Sequence, residues 1–384
     1  MRSGIRSQPK KRRRVCVLLP GYDGFYGEVL RGIRRYAESR PAWQLIFRGT
    51  PDPFGPLEAF DGVLADLSND RVSLVTAYPG PIVQVAHFQD VPGVPRVSMD
   101  ERAAGRAAAE HFLANGHRHF AFLGYERLQF SEERLAGFVA ALGLPAEAVD
   151  VLRLPQDFRW NRDFHAPLAW VGALSKPLAV LACNDAVGTR LATALLAAGV
   201  AVPHAVAVVG VDNVGPDCEM NEPQLSSVVQ PMESIGHTAA ALLDRMIDGQ
   251  APPSGPILIP PAGVVVRESS DASAVADAIV RDAVRFIREK LDRPISVEDV
   301  VDAVTVSRSS LERRFREVLG RTPLAEIHRS RLERACQSLA QTEMSLEQIA
   351  RLCGFGQATH LCNAFRQRLG TTPIQYRRQY RQPR

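Results

Sequence analysis

Residues 307–323 read SRSSLERRFREVLGRTP and residues 357–373 read QATHLCNAFRQRLGTTP. The second stretch reproduces the marks of the first at an offset of fifty, because Leu311, Phe315, Gly320, Thr322 and Pro323 recur as Leu361, Phe365, Gly370, Thr372 and Pro373. A repeat at one fixed offset means that a single supersecondary unit is used twice. In each copy apolar residues four apart (Leu311, Phe315 and Leu319; Leu361, Phe365 and Leu369) draw one buried stripe along a helix. A glycine follows each stripe, where the left-handed backbone that closes a helix suits it.

A shorter apolar-periodic segment stands before each of these helices. Ser296 precedes Val297, Val300, Val301 and Val304, and Asp299 three residues on completes a capping box. Ser345 with Gln348 repeats the device ahead of Ile349, Ala350 and Leu352, and Gly354-Phe355 supplies a tight turn. Short helix, turn, second helix is the helix-turn-helix order, in which the second helix reads the major groove. Between the copies Thr322 caps and Pro323 opens one long helix through Ala340, which holds the two modules apart. The exposed face of the first second-helix carries Arg308, Ser309, Glu312, Arg313 and Arg316; that of the other carries Thr359, His360, Asn363, Arg366 and Arg368.

These residues resemble the DNA-binding domain of the AraC/XylS family of bacterial transcription regulators. The matching marks are Ser307, Leu311, Arg313, Phe315 and Gly320, then Ile349-Ala350, Gly354-Phe355, Phe365-Arg366, Gly370, Thr372-Pro373 and Tyr376-Arg377. The resemblance implies double-stranded DNA as a partner. By chemistry, Arg313 suits guanine and Asn363 suits adenine, while Arg366, Arg368, Arg377 and Arg378 suit phosphates. The family usually has Ser, an aromatic pair and Arg where this chain has Thr359, His360, Leu361 and Asn363.

Charge divides the chain at the same place. Residues 277–384 hold 20 Arg and Lys against 13 Asp and Glu, a net of +7, whereas residues 1–276 hold 26 against 29. Positive charge confined to the repeat is the footprint of a phosphate-binding surface. At 384 residues the chain is too long for one hydrophobic core. The first apolar run, Val15 to Leu19, is too short to span a membrane, and with no signal segment read the expected location is cytoplasmic. The basic run Lys10 to Arg14 before it reads as a solvated tail. Six cysteines without a C-x-x-C pair predict buried thiols rather than disulfides or zinc.

Ahead of the repeat, apolar strands alternate with helices. Strands are predicted at 15–20, 45–47, 62–67 and 82–86, then at 120–124, 149–152, 178–182 and 206–211, with helices at 25–39, 132–142 and 186–198 among them. Two such series predict two lobes of doubly wound parallel sheet. The helix 102–115 is expected to close the first lobe. The helix 232–248 is expected to return to that lobe, and the apolar run 257–266 to the second, with three crossings in all. The domain division is therefore 14–267 for sensing, 268–276 as a linker, and 277–384 for DNA binding.

This part resembles the effector domain of the LacI/GalR repressors, shared with periplasmic sugar-binding proteins. The marks are Gly116-His117-Arg118-His119, Arg134 with Gly137-Phe138, Cys183-Asn184-Asp185-Ala186, Gly199 with Val202-Pro203, and 208–213 (VVGVDN). Those repressors carry their helix-turn-helix at the N-terminus, whereas here it lies at the C-terminus and is of another type. The two parts in this order resemble the bacterial regulators of xylose operons. The resemblance implies a small sugar effector, most readily a pentose, with no cofactor, a homodimer, and RNA polymerase as a partner if the chain activates.

A sugar offers paired hydroxyls and an apolar ring face, and ligands of doubly wound folds sit at the carboxyl ends of strands. Reading those ends gives Asp23, Phe25 and Tyr26, then Arg134, Asn184, Asp185, Asp212 and Gln230. Asp23, Asp212, Asn184 and Asp185 can equally be turn or cap residues, and Phe25 and Tyr26 can be core. Trp160 is a further ring that could stack on a sugar. On the effector reading, alanine at Arg134 or Asp212 would leave ligand-free stability nearly unchanged. The enzyme alternative has weak support, since Gly21, Gly24 and Gly27 miss the G-x-G-x-x-G spacing and no Walker loop, G-x-S-x-G or H-E-x-x-H appears. A plain solute-binding protein would not need the C-terminal repeat.

Overall fold

The computed structural model describes residues 12–21, 24–40, 42–48, 57–67, 72, 77–86, 89–159, 163–271, 277–342 and 344–380. Asp23 and Trp160 lie outside the described residues. The chain divides into two compact units, one of residues 1–99 and 232–259, the other of residues 100–231 and 260–384. It passes between them three times, as the alternation of segments predicts.

The first unit contains β1 (Arg13–Leu18), α1 (Gly24–Glu38), β2 (Trp43–Arg48), β3 (Gly62–Ala65), β4 (Ile82–Val85) and β5 (Arg96–Met99). Within the second unit, α2 (Glu101–Ala114), β6 (His119–Tyr125), α3 (Gln129–Leu142), β7 (Val149–Leu154), α4 (His165–Ala173), β8 (Leu178–Ala182), α5 (Asp185–Ala197), β9 (Val206–Asp212), α6 (Gly215–Glu219) and β10 (Ser226–Val229) follow. Then α7 (Met232–Ile247) and β11 (Ile257–Ile259) return to the first unit, and β12 (Val264–Val265) to the second. The first sheet has the order β11-β5-β4-β3-β1-β2 and the second β12-β10-β9-β8-β6-β7. Pairing is parallel throughout except at β12, which runs antiparallel to β10. Every residue of β3, β4 and β8 is buried, as expected of strands covered on both faces.

Two expectations are corrected here. The helix after β5 belongs to the second unit, not the first, because Gly105 of α2 packs against α3 at Arg134 and Phe138, and Gly137 of α3 packs in return against Arg102. A Cβ at either glycine would land on a backbone carbonyl oxygen. Gly32 and Gly236 make the same mutual crossing between α1 and α7. The run 257–266 is two strands in two sheets, divided at Pro260-Pro261. Among the elements missed are β5, whose Arg96 and Ser98 interrupt the apolar signal, α4 and α6.

The C-terminal helices are α8 (Ala278–Glu289), α9 (Val297–Val304), α10 (Arg308–Leu319), α11 (Pro323–Gln341), α12 (Leu346–Leu352), α13 (Ala358–Leu369) and α14 (Pro373–Tyr380). Both capping boxes form, at Ser296 with Asp299 and at Ser345 with Gln348. Gly320 and Gly370 close their helices in the left-handed conformation, at φ 66° and 63°. Two separate cores result. One gathers Val280, Val284, Ile287, Val300, Leu311, Phe315 and Ile327; the other gathers Ala335, Leu339, Ile349, Leu361, Phe365 and Tyr376.

The repeat is less symmetrical than its sequence. Leu319 is buried as predicted, but its counterpart Leu369 is 43% exposed. The cause is local: Leu319 belongs to the first core and lies beside the Gly116 turn of the second lobe, while the second core excludes Leu369.

Candidate functional site

In the second unit the carboxyl ends of β8 and β9 meet the first turn of α2 and the second turn of α3 around Arg134. This side chain is only 3% exposed. Its Nε donates to Glu101 Oε2 at 2.6 Å, one terminal nitrogen donates to the Cys183 carbonyl, and the other to Asp212 Oδ1 at 3.3 Å. The guanidinium also lies over the Phe130 ring, 4.9 Å from its centroid. Two carboxylates thus share one cation. Burial holds the Asp212 carboxyl well above the ordinary carboxylate range despite the pull of Arg134, with Asp185 and Glu101 adding like charge. Asp212 sits at φ 121°, a backbone region that costs a non-glycine residue energy and is found where a site holds its geometry.

Asp185 is arranged differently. It is 1% exposed, Ser227 Oγ donates to one oxygen, and Val214 N and Cys218 Sγ donate to the other at 2.9 and 3.2 Å. Burial pushes its carboxyl up to about 6. Its oxygens brace the loop after β9 and are taken up inside the protein. Asn184 caps α5, accepting from Val187 N at 2.9 Å, which is the cap reading of its position. Gln230 is 4% exposed, and its Oε1 meets no hydrogen-bond donor among the described residues. An amide oxygen buried without a donor is costly unless something else supplies one.

In the first unit Phe25 and Tyr26 are both half-buried and packed edge to face, centroids 4.9 Å apart. Tyr26 donates its hydroxyl to Asp66 Oδ2 at 2.5 Å, just past the end of β3. Sequence reading missed Asp66 and Glu101. Asp66 was hidden inside an apolar run, although it is an acid at a strand's carboxyl end; Glu101 looked like an ordinary first-turn helix acid.

The burial of Arg134 corrects one expectation outright. Removing it takes a buried donor from two carboxylates and a carbonyl, so the ligand-free protein is expected to lose stability.

The helix-turn-helix faces are laid out as the repeat predicts. Arg308, Ser309 and Arg313 are exposed on α10 and Glu312 is half-buried; Thr359, His360, Asn363, Arg366 and Arg368 are exposed on α13. On α10 each cation has an acidic neighbour, Arg308 with Glu312 at 3.1 Å and also Glu298, Arg313 with Glu317 at 2.8 Å, Arg316 with Glu312 at 3.5 Å. Surface pairs of this kind contribute only about 0.2–1 kcal/mol, so a phosphate or base can displace them. No acidic residue occurs in α13. His360 Nδ1 lies 3.1 Å from the Phe355 carbonyl, which can only accept, so Nδ1 is the donor of that bond.

One DNA-contact expectation fails. Arg377 is half-buried and donates to the Met344 carbonyl, binding α14 to the segment before α12. Its neighbour Arg378 is exposed.

Comparison with known proteins agrees with this layout. Residues 109–270 match a family model described as a periplasmic binding protein-like domain, and residues 300–379 match a helix-turn-helix domain. The xylose operon regulatory protein of Escherichia coli (strain K12) is 29% identical, with 96% of this chain and 97% of that protein covered. Its namesake from Haemophilus influenzae is also 29% identical, over 95% and 98%. The solved structure of a xylose-binding transcription activator covers 96% of this chain and 98% of its own, at 27% identity and a TM-score of 0.61.

Proposed function

We propose that this chain, a sugar-responsive DNA-binding transcription regulator that joins a periplasmic-binding-protein-like sensing domain to an AraC-type double helix-turn-helix, takes a pentose as its effector and binds promoter half-sites as a dimer. The observation that carries the sensing half is the Arg134 cluster: a buried guanidinium shared by Glu101 and Asp212 at strand carboxyl ends, with Asp212 held at positive φ. A carboxylate and a guanidinium so fixed can receive and donate to neighbouring sugar hydroxyls without reorganising. The unsatisfied Gln230 oxygen supports the same reading, since a hydroxyl is the donor it lacks. Asn184 and Asp185 set the backbone from outside the contact. The names of the full-length relatives favour xylose, and that of the solved structure favours activation, for which RNA polymerase would be the partner.

The experiment is a thermal-shift series with D-xylose, L-arabinose, D-ribose and D-glucose. A ligand that binds only the folded state contributes about 2.7 kcal/mol at a hundred times its Kd, so the true effector raises Tm by several degrees. If no pentose shifts the melt, the effector reading is lost. In the same titration Asp212→Asn, which keeps shape and removes charge, is expected to fold normally and to weaken pentose binding by about 1.5–3 kcal/mol. Unaltered affinity would remove Asp212 from the site.

For DNA, Asn363 and Arg313 read bases while Arg366, Arg368 and Arg378 hold phosphates. Asn363→Ala is expected to relax preference at one base pair by about 1–3 kcal/mol. Arg378→Ala should weaken all sequences alike and lessen the dependence on salt by roughly one counterion. Binding-site selection with each variant separates the two. Were Asn363→Ala to weaken all duplexes equally, the base-reading assignment would be wrong.

A further inference from the structure

The second sensing lobe and the helix-turn-helix domain lie in one compact unit, and one element touches the functional end of each. That element is α2. Its first residue is Glu101, the carboxylate that grips Arg134, and Asp100 caps it by accepting from Ala103 N at 2.9 Å. Its last residue is Ala114, whose carbonyl accepts from Arg321, in the loop that follows α10. Fourteen residues at 1.5 Å each make a rod of about 21 Å between the two.

Both ends are anchored firmly. Near the cluster, Gly105 and Gly137 bring α2 and α3 backbone to backbone, so Glu101 and Arg134 stand on helices that move as one body. Beyond the far end, the Gly116 turn lies against α10: a Cβ there would stand 2.7 Å from the Val318 carbonyl oxygen. Arg321 is itself fixed by Glu326, a fully buried carboxylate that also receives Arg329 at 2.6 Å. Glu326 lies in α11, the helix joining the two DNA-reading units. His111 adds a further tie, its Nε2 2.8 Å from Ser270 Oγ where the sensing part of the chain ends.

We propose that α2 is the lever that carries the occupancy of the Arg134 cluster to the DNA-binding helices, through the contact of Ala114 and Gly116 with Arg321 and α10. The proposal rests on the effector reading above, and it says by which residues the sugar regulates. When a hydroxyl group competes for Arg134 or Asp212, the grip on Glu101 changes, and the rigid pair of helices transmits that change to the base of the first reading helix. Coupling of this kind is reciprocal, so DNA must alter sugar affinity by the same factor as sugar alters DNA affinity.

The test uses the full chain, D-xylose, and a duplex that the wild-type protein selects from a random pool. Duplex Kd is measured by fluorescence anisotropy with and without saturating D-xylose, and the ratio is the coupling factor, ordinarily about 5- to 150-fold in either direction. Arg321→Ala and, independently, Gly116→Ala are expected to bring that ratio close to one. Each should keep D-xylose Kd within about twofold, because both sites lie a helix length from the cluster. Arg321→Ala leaves Glu326 paired with Arg329, and if one variant does not fold, the other decides. A folded variant that retains the wild-type ratio overturns the lever. A wild-type protein whose DNA affinity ignores D-xylose, while D-xylose still shifts its melt, also overturns the lever and leaves the effector reading standing; no melt shift overturns both.

Discussion

Arg134→Ala is expected to lower the unfolding free energy by about 3–5 kcal/mol before any ligand is added, the usual cost of breaking one side of a buried ion pair. Glu101 is 5% exposed and loses a buried ion-pair partner. Asp212 loses an opposing charge, and the Cys183 carbonyl loses a donor. The variant should also lose the pentose thermal shift, although that loss alone would not distinguish a binding residue from a structural one. A second substitution makes the distinction. Adding Glu101→Gln to Arg134→Ala removes one of the stranded charges and should restore about 0.5–3 kcal/mol, a coupling that only a direct pair produces. Denaturant melts of the two single variants and the double variant measure it, and strictly additive costs would mean that the pair contributes nothing.

The other large effect is expected at Phe315 and Phe365. Each ring is fully buried, and alanine should cost about 3–5 kcal/mol from lost transfer energy and the cavity left behind. The consequences should differ. Phe315 lies in the core built from α8, α9 and α10, which is joined to the sensing lobe through Leu319 and Arg321, so its loss should loosen that junction as well. Phe365 lies in the other core, edge to face with Tyr376 at 5.4 Å, and its loss should melt α12 to α14 while the first reading unit survives. Hydrogen exchange resolved by segment would show this as protection lost after residue 345 alone. Two variants with wild-type melts and altered base preference would mean that the buried and exposed faces have been exchanged.

Much of this could be read from the chain, for reasons that particular residues show. The helix-turn-helix units were legible because their marks are local: a serine cap, apolar residues four apart and a closing glycine act within one or two turns. The central strands were legible because burial on both faces makes them continuously apolar. Legibility failed where a residue's role depends on a distant neighbour. Glu101 and Asp66 resemble many helix-start and loop acids, and only the approach of Arg134 and Tyr26 gives them meaning. Arg377 has the composition of a phosphate contact, and the Met344 carbonyl makes it a brace. Leu369 repeats Leu319 in sequence, yet burial needs a second surface, and only the first copy has one.

The crossings at Gly32 with Gly236 and at Gly105 with Gly137 bear on how freely this protein can diverge. Most tight contacts tolerate a larger residue if the facing residue becomes smaller, and families drift along such compensating exchanges. Here the obstacle to a side chain is a backbone carbonyl, that of Arg134, Arg102, Glu233 or Val29, and every residue carries one. No smaller partner exists, so the usual second-site rescue has nowhere to come from. A library that randomises these four codons should return glycine at all of them, whatever effector or operator the selection imposes, while the reading faces of α10 and α13 accept substitution freely.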